Sequence, residues 1–263
     1  MTRCAIVGSA FSGASELPEE RVDTPFGEAV LHRAGPGRYV LYRHGAPHRF
    51  LPHQVPYRAH AWALQMLGVD ALLVTSSVGV LSAEVPLNTP VVVTDLVWWD
   101  MMLPDGTAAT MFLEPSADQG HLVVEEGLFH PGLTEHVREL LTARGVPRGP
   151  DEVVFWYASG PRTKTRAENR LLARWGLHVN SMTLAPEVVL ANELGIPTAA
   201  VVVGHKASGP AAPGLGRAAV ARSLDEARAV VQGVVHDFLA DEGVFAFANH
   251  IYRFGDGSSE DDP

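Results

Sequence analysis

The chain has 263 residues, 46% of them hydrophobic, and its 20 basic and 30 acidic side chains give a formal charge of −10. That balance argues against a duplex-binding protein, because phosphate-backbone affinity comes from clustered Lys and Arg. Cys4 is the only cysteine, so an intrachain disulfide scaffold is excluded, and no run approaches the roughly 20 apolar residues that span a bilayer. The opening MTRCAIVGSA lacks a basic stretch followed by a long apolar run. The expectation is a cytoplasmic protein that engages neither nucleic acid nor membrane.

In chain order, residues 4–8, 39–42, 71–76, 90–95, 153–158 and 198–203 read as strands, several of them nearly continuous Val, Leu and Ile. Such runs fit a sheet covered on both faces. Helical patterns fall over 55–67, 131–144, 164–175, 186–194 and 223–239. Pro56 suits the opening turn of the first, Gly68 its C′ position, and Ser223 with Glu226 fits a capping box at the start of the last. The alternation predicts one α/β domain over residues 1–254, a twisted mixed sheet flanked by helices. The acidic, polar tail 255–263 reads as disordered. Two long small-residue loops, 104–120 and 209–216, read as mobile lids or subunit contacts.

Several strand ends carry groups suited to an oxyanion. The first predicted strand runs into Gly8-Ser9-Ala10-Phe11-Ser12-Gly13, where small residues let backbone N–H groups approach an anion and Ser9 adds a hydroxyl. Arg43-His44-Gly45 places a guanidinium fork at another strand end. The run 74–79 ends in Thr75, Ser76, Ser77 and Gly79. Taken singly, the first two have plainer readings: a tight turn, and a surface arginine beside a structural histidine. Three together suit a ligand crevice at the carboxyl edge of an open sheet. The segments 159–168 and 181–187 open helices, whose N-termini favour anions. Met182 alone reads as core packing and Glu187 as first-turn dipole complementation. The twelve histidines show no metal-ligand spacing; His44 and His48 are separated by Pro47 and cannot share a regular helix face. Cys4, at the start of a buried strand, is expected to be inert.

The stretches AIVGSA, YRHGAPHRFLPHQVPYRAHAWAL, GVDALLVTSSVGVL, VVVTDLVWWD, SGPRTKTRAE and NSMTLAPEVVLANELGI, in that order, resemble the trimeric purine nucleoside phosphorylases, nearest their 5′-methylthioadenosine phosphorylase branch. The resemblance implies a homotrimer that splits the N-glycosidic bond of a purine-type or 5′-modified nucleoside with inorganic phosphate, with no metal or organic cofactor. It implies that Ser9, Arg43, His44, Ser76 and Thr183 hold phosphate, with Arg43, His44 and Thr183 supporting the chemistry. Ser77, Thr163, Lys164, Met182, His205 and Lys206 would face the nucleoside, Met182 against the ribose. The 5′ pocket would involve the small residues Ala218, Ala219 and Ala221.

The base pocket departs from the family. Thr163 stands where an aromatic residue would stack on the purine, and Lys164 where a glutamate reads the base. The later recognition loop, Gly204-His205-Lys206-Ala207-Ser208-Gly209, has no acidic residue. Eighteen of the 20 basic residues are arginine, and the two lysines fall in these two segments. An ammonium only donates where a carboxylate accepts, so the expected base is rich in acceptors or anionic, and ordinary adenosine-type substrates are expected to be poor. The plainer alternative is that both lysines form surface or interface ion pairs. A hydrolytic nucleosidase and a silent nucleoside-binding protein of the same fold remain as competing functions; an anion cradle is of no use to the first.

Overall fold

In the computed structural model, residues 1–8, 16–115, 119–209 and 217–253 are described, the last span without the side chains of 217–223. Seven strands and one helix make the first part of the chain: β1 (Arg3–Val7), β2 (Glu19–Thr24), β3 (Gly27–Gly35), β4 (Arg38–Tyr42), α1 (Tyr57–Met66), β5 (Ala71–Val80), β6 (Pro90–Val93) and β7 (Asp95–Val97). The remainder comprises β8 (Gly120–Val123), α2 (Pro131–Ala143), β9 (Val154–Tyr157), α3 (Arg166–Arg174), β10 (Val179–Ser181), α4 (Ala185–Glu193), β11 (Thr198–Ala207), α5 (Arg217–Ala240) and β12 (His250–Arg253).

Ten strands form one mixed sheet in the order β2-β3-β4-β1-β5-β10-β9-β7, with β11 paired to β5 and β6; β8 and β12 form a separate ribbon. The expected mixed α/β architecture is therefore the one observed. Alternate residues of β5 serve opposite faces, as strand geometry requires. Leu72 and Val74 join a core shared with α1 and α4, whereas Ala71 and Leu73 join a second core beneath α2 and α5. Both faces of the central strands are thus covered, which explains their continuous apolar runs.

β5 organises the site. Its first half runs parallel to β1 and to β11, while its last residues, Gly79 and Val80, pair antiparallel with β10. Where β1 ends, β10 arrives from the opposite direction, while β11 stays paired to β5 as far as Val80, and the strand ends gather around one opening.

Three local expectations change. The last helix begins at Arg217, so Ser223 lies inside it, six residues past its start. Pro56 is the N-cap of α1 and lies outside its first turn, although Gly68 follows the helix at φ +64° as expected. The loop after Pro104 is tied down as far as Met111. Arg58 on α1 donates to the Thr110 carbonyl at 2.9 Å, to the Ala108 carbonyl at 2.5 Å and to Thr107 Oγ1 at 3.0 Å. Glu193 on α4 accepts from the Met111 N–H at 2.5 Å and from Thr110 Oγ1 at 3.0 Å. A segment pinned from two helices is a brace, and it contributes no described residue to the opening. Residues 210–216 of the expected second loop (209–216) and the tail 255–263 lie outside the described residues.

Candidate active site

A cleft of about 790 Å³ sits at the junction of β5, β10 and β11. Arg43, His44, Ser76, Ser77, Thr163, Lys164, Met182, Thr183, His205 and Lys206 all line it. Every expected site residue that is described therefore reaches the same space. Ser9 lies outside the described residues, as do the side chains of Ala218, Ala219 and Ala221.

The floor is a buried ion pair. Arg43 leaves the end of β4 and is fully buried. Its Nε and Nη2 donate to the two carboxylate oxygens of Glu187 at 2.5 and 2.7 Å, and its Nη1 donates to the Thr75 carbonyl at 2.9 Å. Among the described residues two of the five guanidinium N–H donors remain uncommitted. Gly8 leaves room for this arrangement: a Cβ there would lie 2.9 Å from Arg43 Nη1. Glu187 was missed as a partner in the sequence, where its place in the first turn of α4 suggested only a dipole effect.

Two hydroxyls meet beside the pair. Ser76 Oγ on β5 lies 3.2 Å from Thr183 Oγ1, and Ser181 Oγ lies 3.4 Å from the same Thr183 oxygen. The turn that delivers Thr183 is strained. Leu184, next in the chain, has φ +81° without being glycine and is wholly buried, a conformation that persists only where packing enforces it. Burial of the Leu184 side chain thus fixes where the Thr183 hydroxyl points.

His44 is neutral. Burial first, and then the neighbouring Arg43 charge, pull its pKa down to about 4. Its Nδ1 donates to the Phe50 carbonyl at 2.8 Å, so Nε2 is left as a lone-pair acceptor. In this state its free nitrogen suits a ligand that carries an O–H.

The opposite side of the cleft is cationic. Thr165 caps α3, its Oγ1 accepting from the Glu168 N–H at 3.2 Å, and the helix presents Arg166 and Arg170 to the cleft just after Lys164. Lys206 and His205 arrive from the end of β11. Burial, reinforced by the nearby Lys206 charge, lowers the Lys164 pKa to about 8. His205 Nδ1 is buried with no partner among the described residues. Arg166 and Arg170 were also missed; their i, i+4 spacing on the helix that follows Lys164 was the available signal.

Elsewhere, Cys4 is buried and burial pushes its thiol well up, as expected of an inert cysteine. His44 and His48 stack at 4.6 Å across a turn. No helix among the described residues is long and apolar enough to cross a membrane.

A family model described as the phosphorylase superfamily matches residues 2–240. The chain belongs to the phosphorylase superfamily. This superfamily member is 33% identical over 218 residues to a 6-oxopurine nucleoside phosphorylase of Pyrococcus furiosus, covering 77% of this chain and 78% of that protein. It is 31% identical over 219 residues to an S-methyl-5′-thioadenosine phosphorylase of Anopheles gambiae, covering 76% and 74%. The methylthioadenosine phosphorylase of Schistosoma mansoni, solved in complex with tubercidin, shares the fold with a TM-score of 0.77 at 24% identity, over 91% of each chain. The resemblance to nucleoside phosphorylases carried by the strand-end motifs is borne out.

Proposed function

We propose that this phosphorylase superfamily member is a pentosyltransferase that cleaves the N-glycosidic bond of a purine-type or 5′-modified, methylthioadenosine-like nucleoside with inorganic phosphate, giving the free base and ribose 1-phosphate. The observation that carries this reading is the convergence of Arg43, His44, Ser76 and Thr183 on one cleft. These are the donors and the acceptor that a monoprotonated phosphate needs: guanidinium N–H groups, two hydroxyls, and a neutral imidazole to accept the phosphate O–H.

Departure of the base leaves an oxocarbenium-like sugar. Phosphate held beneath the anomeric carbon both stabilises that cation and attacks it. The protein supplies position and fixed dipoles, and no covalent enzyme intermediate is required. Arg43 is pinned by Glu187 before phosphate arrives, so little reorganisation accompanies binding. Met182 lines the same cleft and is suited to pack against the ribose. Inorganic phosphate is the only co-substrate in this scheme, with no metal or organic cofactor, and the enzyme works in the cytoplasm.

The deciding experiment follows base release from inosine, methylthioadenosine and adenosine with and without phosphate. Phosphate-dependent release together with ribose 1-phosphate supports phosphorolysis. Equal release in phosphate-free buffer, with ribose as product, would assign hydrolysis instead, and binding without turnover would assign a silent binding protein.

We further propose a homotrimer. In support, Trp99 and Trp175 are 67% and 53% exposed and pack edge-on at 5.8 Å, with exposed Met101 nearby in the chain. Exposed aromatic rings clustered in this way mark surfaces that other chains cover. Sedimentation at three times the 28.2 kDa chain mass is the expected result.

A further inference from the structure

Arg43 is neutralised by Glu187, but the rest of the cleft is not neutral. Among the described residues its lining includes Lys164, Arg166, Arg170, Lys206 and Arg228 and no Asp or Glu, in a chain that carries a formal charge of −10. Arg228 pairs with Asp225 at 2.9 Å. Among the described residues none of the other four has a carboxylate partner. Glu168, the nearest acid in the sequence, bonds to Arg162 at 2.7 Å and to the cap of α3, and acts on Lys164 only through space, too weakly to offset burial and the Lys206 charge. The positive wall is drawn from two separate elements, the start of α3 and the end of β11. Lys164 and Lys206 are close enough to repel, which contributes to the lowered pKa of Lys164. Like charges that outnumber their counter-ions raise the energy of the empty cleft, and an entering anion removes that cost.

The phosphate ligands proposed above are Arg43, His44, Ser76 and Thr183, so the cations of α3 and β11 are left for a second negative group. We infer that the preferred substrate is a nucleoside whose base is itself an anion, carrying a carboxylate or a ring oxyanion held between Lys164 and Lys206. This rests on the phosphorylase reading and narrows it. As a phosphate oxygen bonds to the anomeric carbon, the C–N electron pair leaves with the base and adds one negative charge to it. Solvent returns a proton to the departing base afterwards. A base already anionic is a poor leaving group in a neutral pocket; four cations facing it stabilise the charge as it grows.

The test uses the full-length enzyme at saturating phosphate with xanthosine, whose base ionises near neutral pH, and with neutral inosine and methylthioadenosine. The expected kcat/KM for xanthosine exceeds that for either neutral nucleoside at least tenfold. That ratio falls with added salt and falls at least tenfold in Lys164→Gln and in Lys206→Gln. Inosine 5′-monophosphate provides a separate arm: a gain there without one for xanthosine moves the second anion site to the 5′ end and overturns the base assignment. Efficient phosphorolysis of methylthioadenosine or inosine with no advantage for xanthosine overturns the inference and leaves the phosphorylase reading intact. Calorimetry with xanthine and hypoxanthine in the presence of phosphate reads the same pocket without turnover. Tighter xanthine binding in an enzyme that cleaves nothing supports the anionic pocket and removes the phosphorylase reading, whereas equal or weaker xanthine binding overturns the pocket.

Discussion

Arg43 and Glu187 lie 144 positions apart in the chain and meet in the cleft floor through two parallel hydrogen bonds of 2.5 and 2.7 Å. Each is 1% exposed. Removing one member of such a pair strands the other as a buried charge, at a cost of about 3–5 kcal/mol. Glu187→Gln is therefore expected to lose about 3 kcal/mol in urea unfolding and to raise the KM for phosphate about tenfold or more as Arg43 loses its fixed orientation. Arg43→Lys keeps the charge but not the planar fork, and is expected to fare no better. Unchanged stability and phosphate KM in Glu187→Gln would refute this role.

The facing hydroxyls of Ser76 and Thr183, 3.2 Å apart, are expected to share one anion. Hydrogen bonds to a charged ligand are worth about 1.5–3 kcal/mol, so Thr183→Val and Ser76→Ala should each weaken phosphate binding by about 10- to 100-fold. Because the two groups touch, the double variant should lose less than the product of the single losses. Phosphate titrations of all three variants measure this coupling.

His44 is held down to about 4 by burial and by the Arg43 and His48 charges, against the opposing pull of the Phe50 carbonyl. Its unfolded value is the ordinary 6.5, so between these limits the native state binds fewer protons than the unfolded chain. Its contribution to stability is then complete above about pH 6.5 and declines as pH falls through about 4. Buried His60, lowered to about 3, acts in the same direction. Unfolding midpoints measured from pH 7 down to pH 4 should decrease steadily, and His44→Gln should flatten that decline.

The Arg58 clamp can be separated from chemistry. Arg58→Met removes three hydrogen bonds to residues 107–110, which should cost about 2–4 kcal/mol and open the 104–115 segment to proteolysis. The KM for phosphate should not move, since the clamp lies outside the cleft.

The parts of the molecule legible in the sequence are those with strong local signals. Continuous Val and Leu runs marked β1, β5, β6 and β11, and the polar residues at strand ends marked the cleft. β2 and β3 went unread because their sequence is charged and only partly buried. β2 is an edge strand whose Arg21 bridges Glu19 and Glu28, a composition that protects an edge and hides a strand at once. The Ser76–Thr183 meeting was accessible only through the family resemblance. The Glu187–Arg43 pair was accessible through neither route, since no local pattern reports a partner so distant in the chain. The lysines show the reverse case: their positions stood out in the sequence, but the arginines beside them emerge only when the cleft is assembled.

Because β5 belongs at once to the site and to both hydrophobic cores, occupancy of the cleft and integrity of the whole sheet are one thermodynamic property. A ligand held by Ser76 cannot be released by loosening a peripheral flap alone, and the melting temperature becomes a gauge of saturation. At about 100 times its dissociation constant, phosphate should contribute about 2.7 kcal/mol to global stability, so a simple thermal-shift titration would rank candidate nucleosides before any product is assayed.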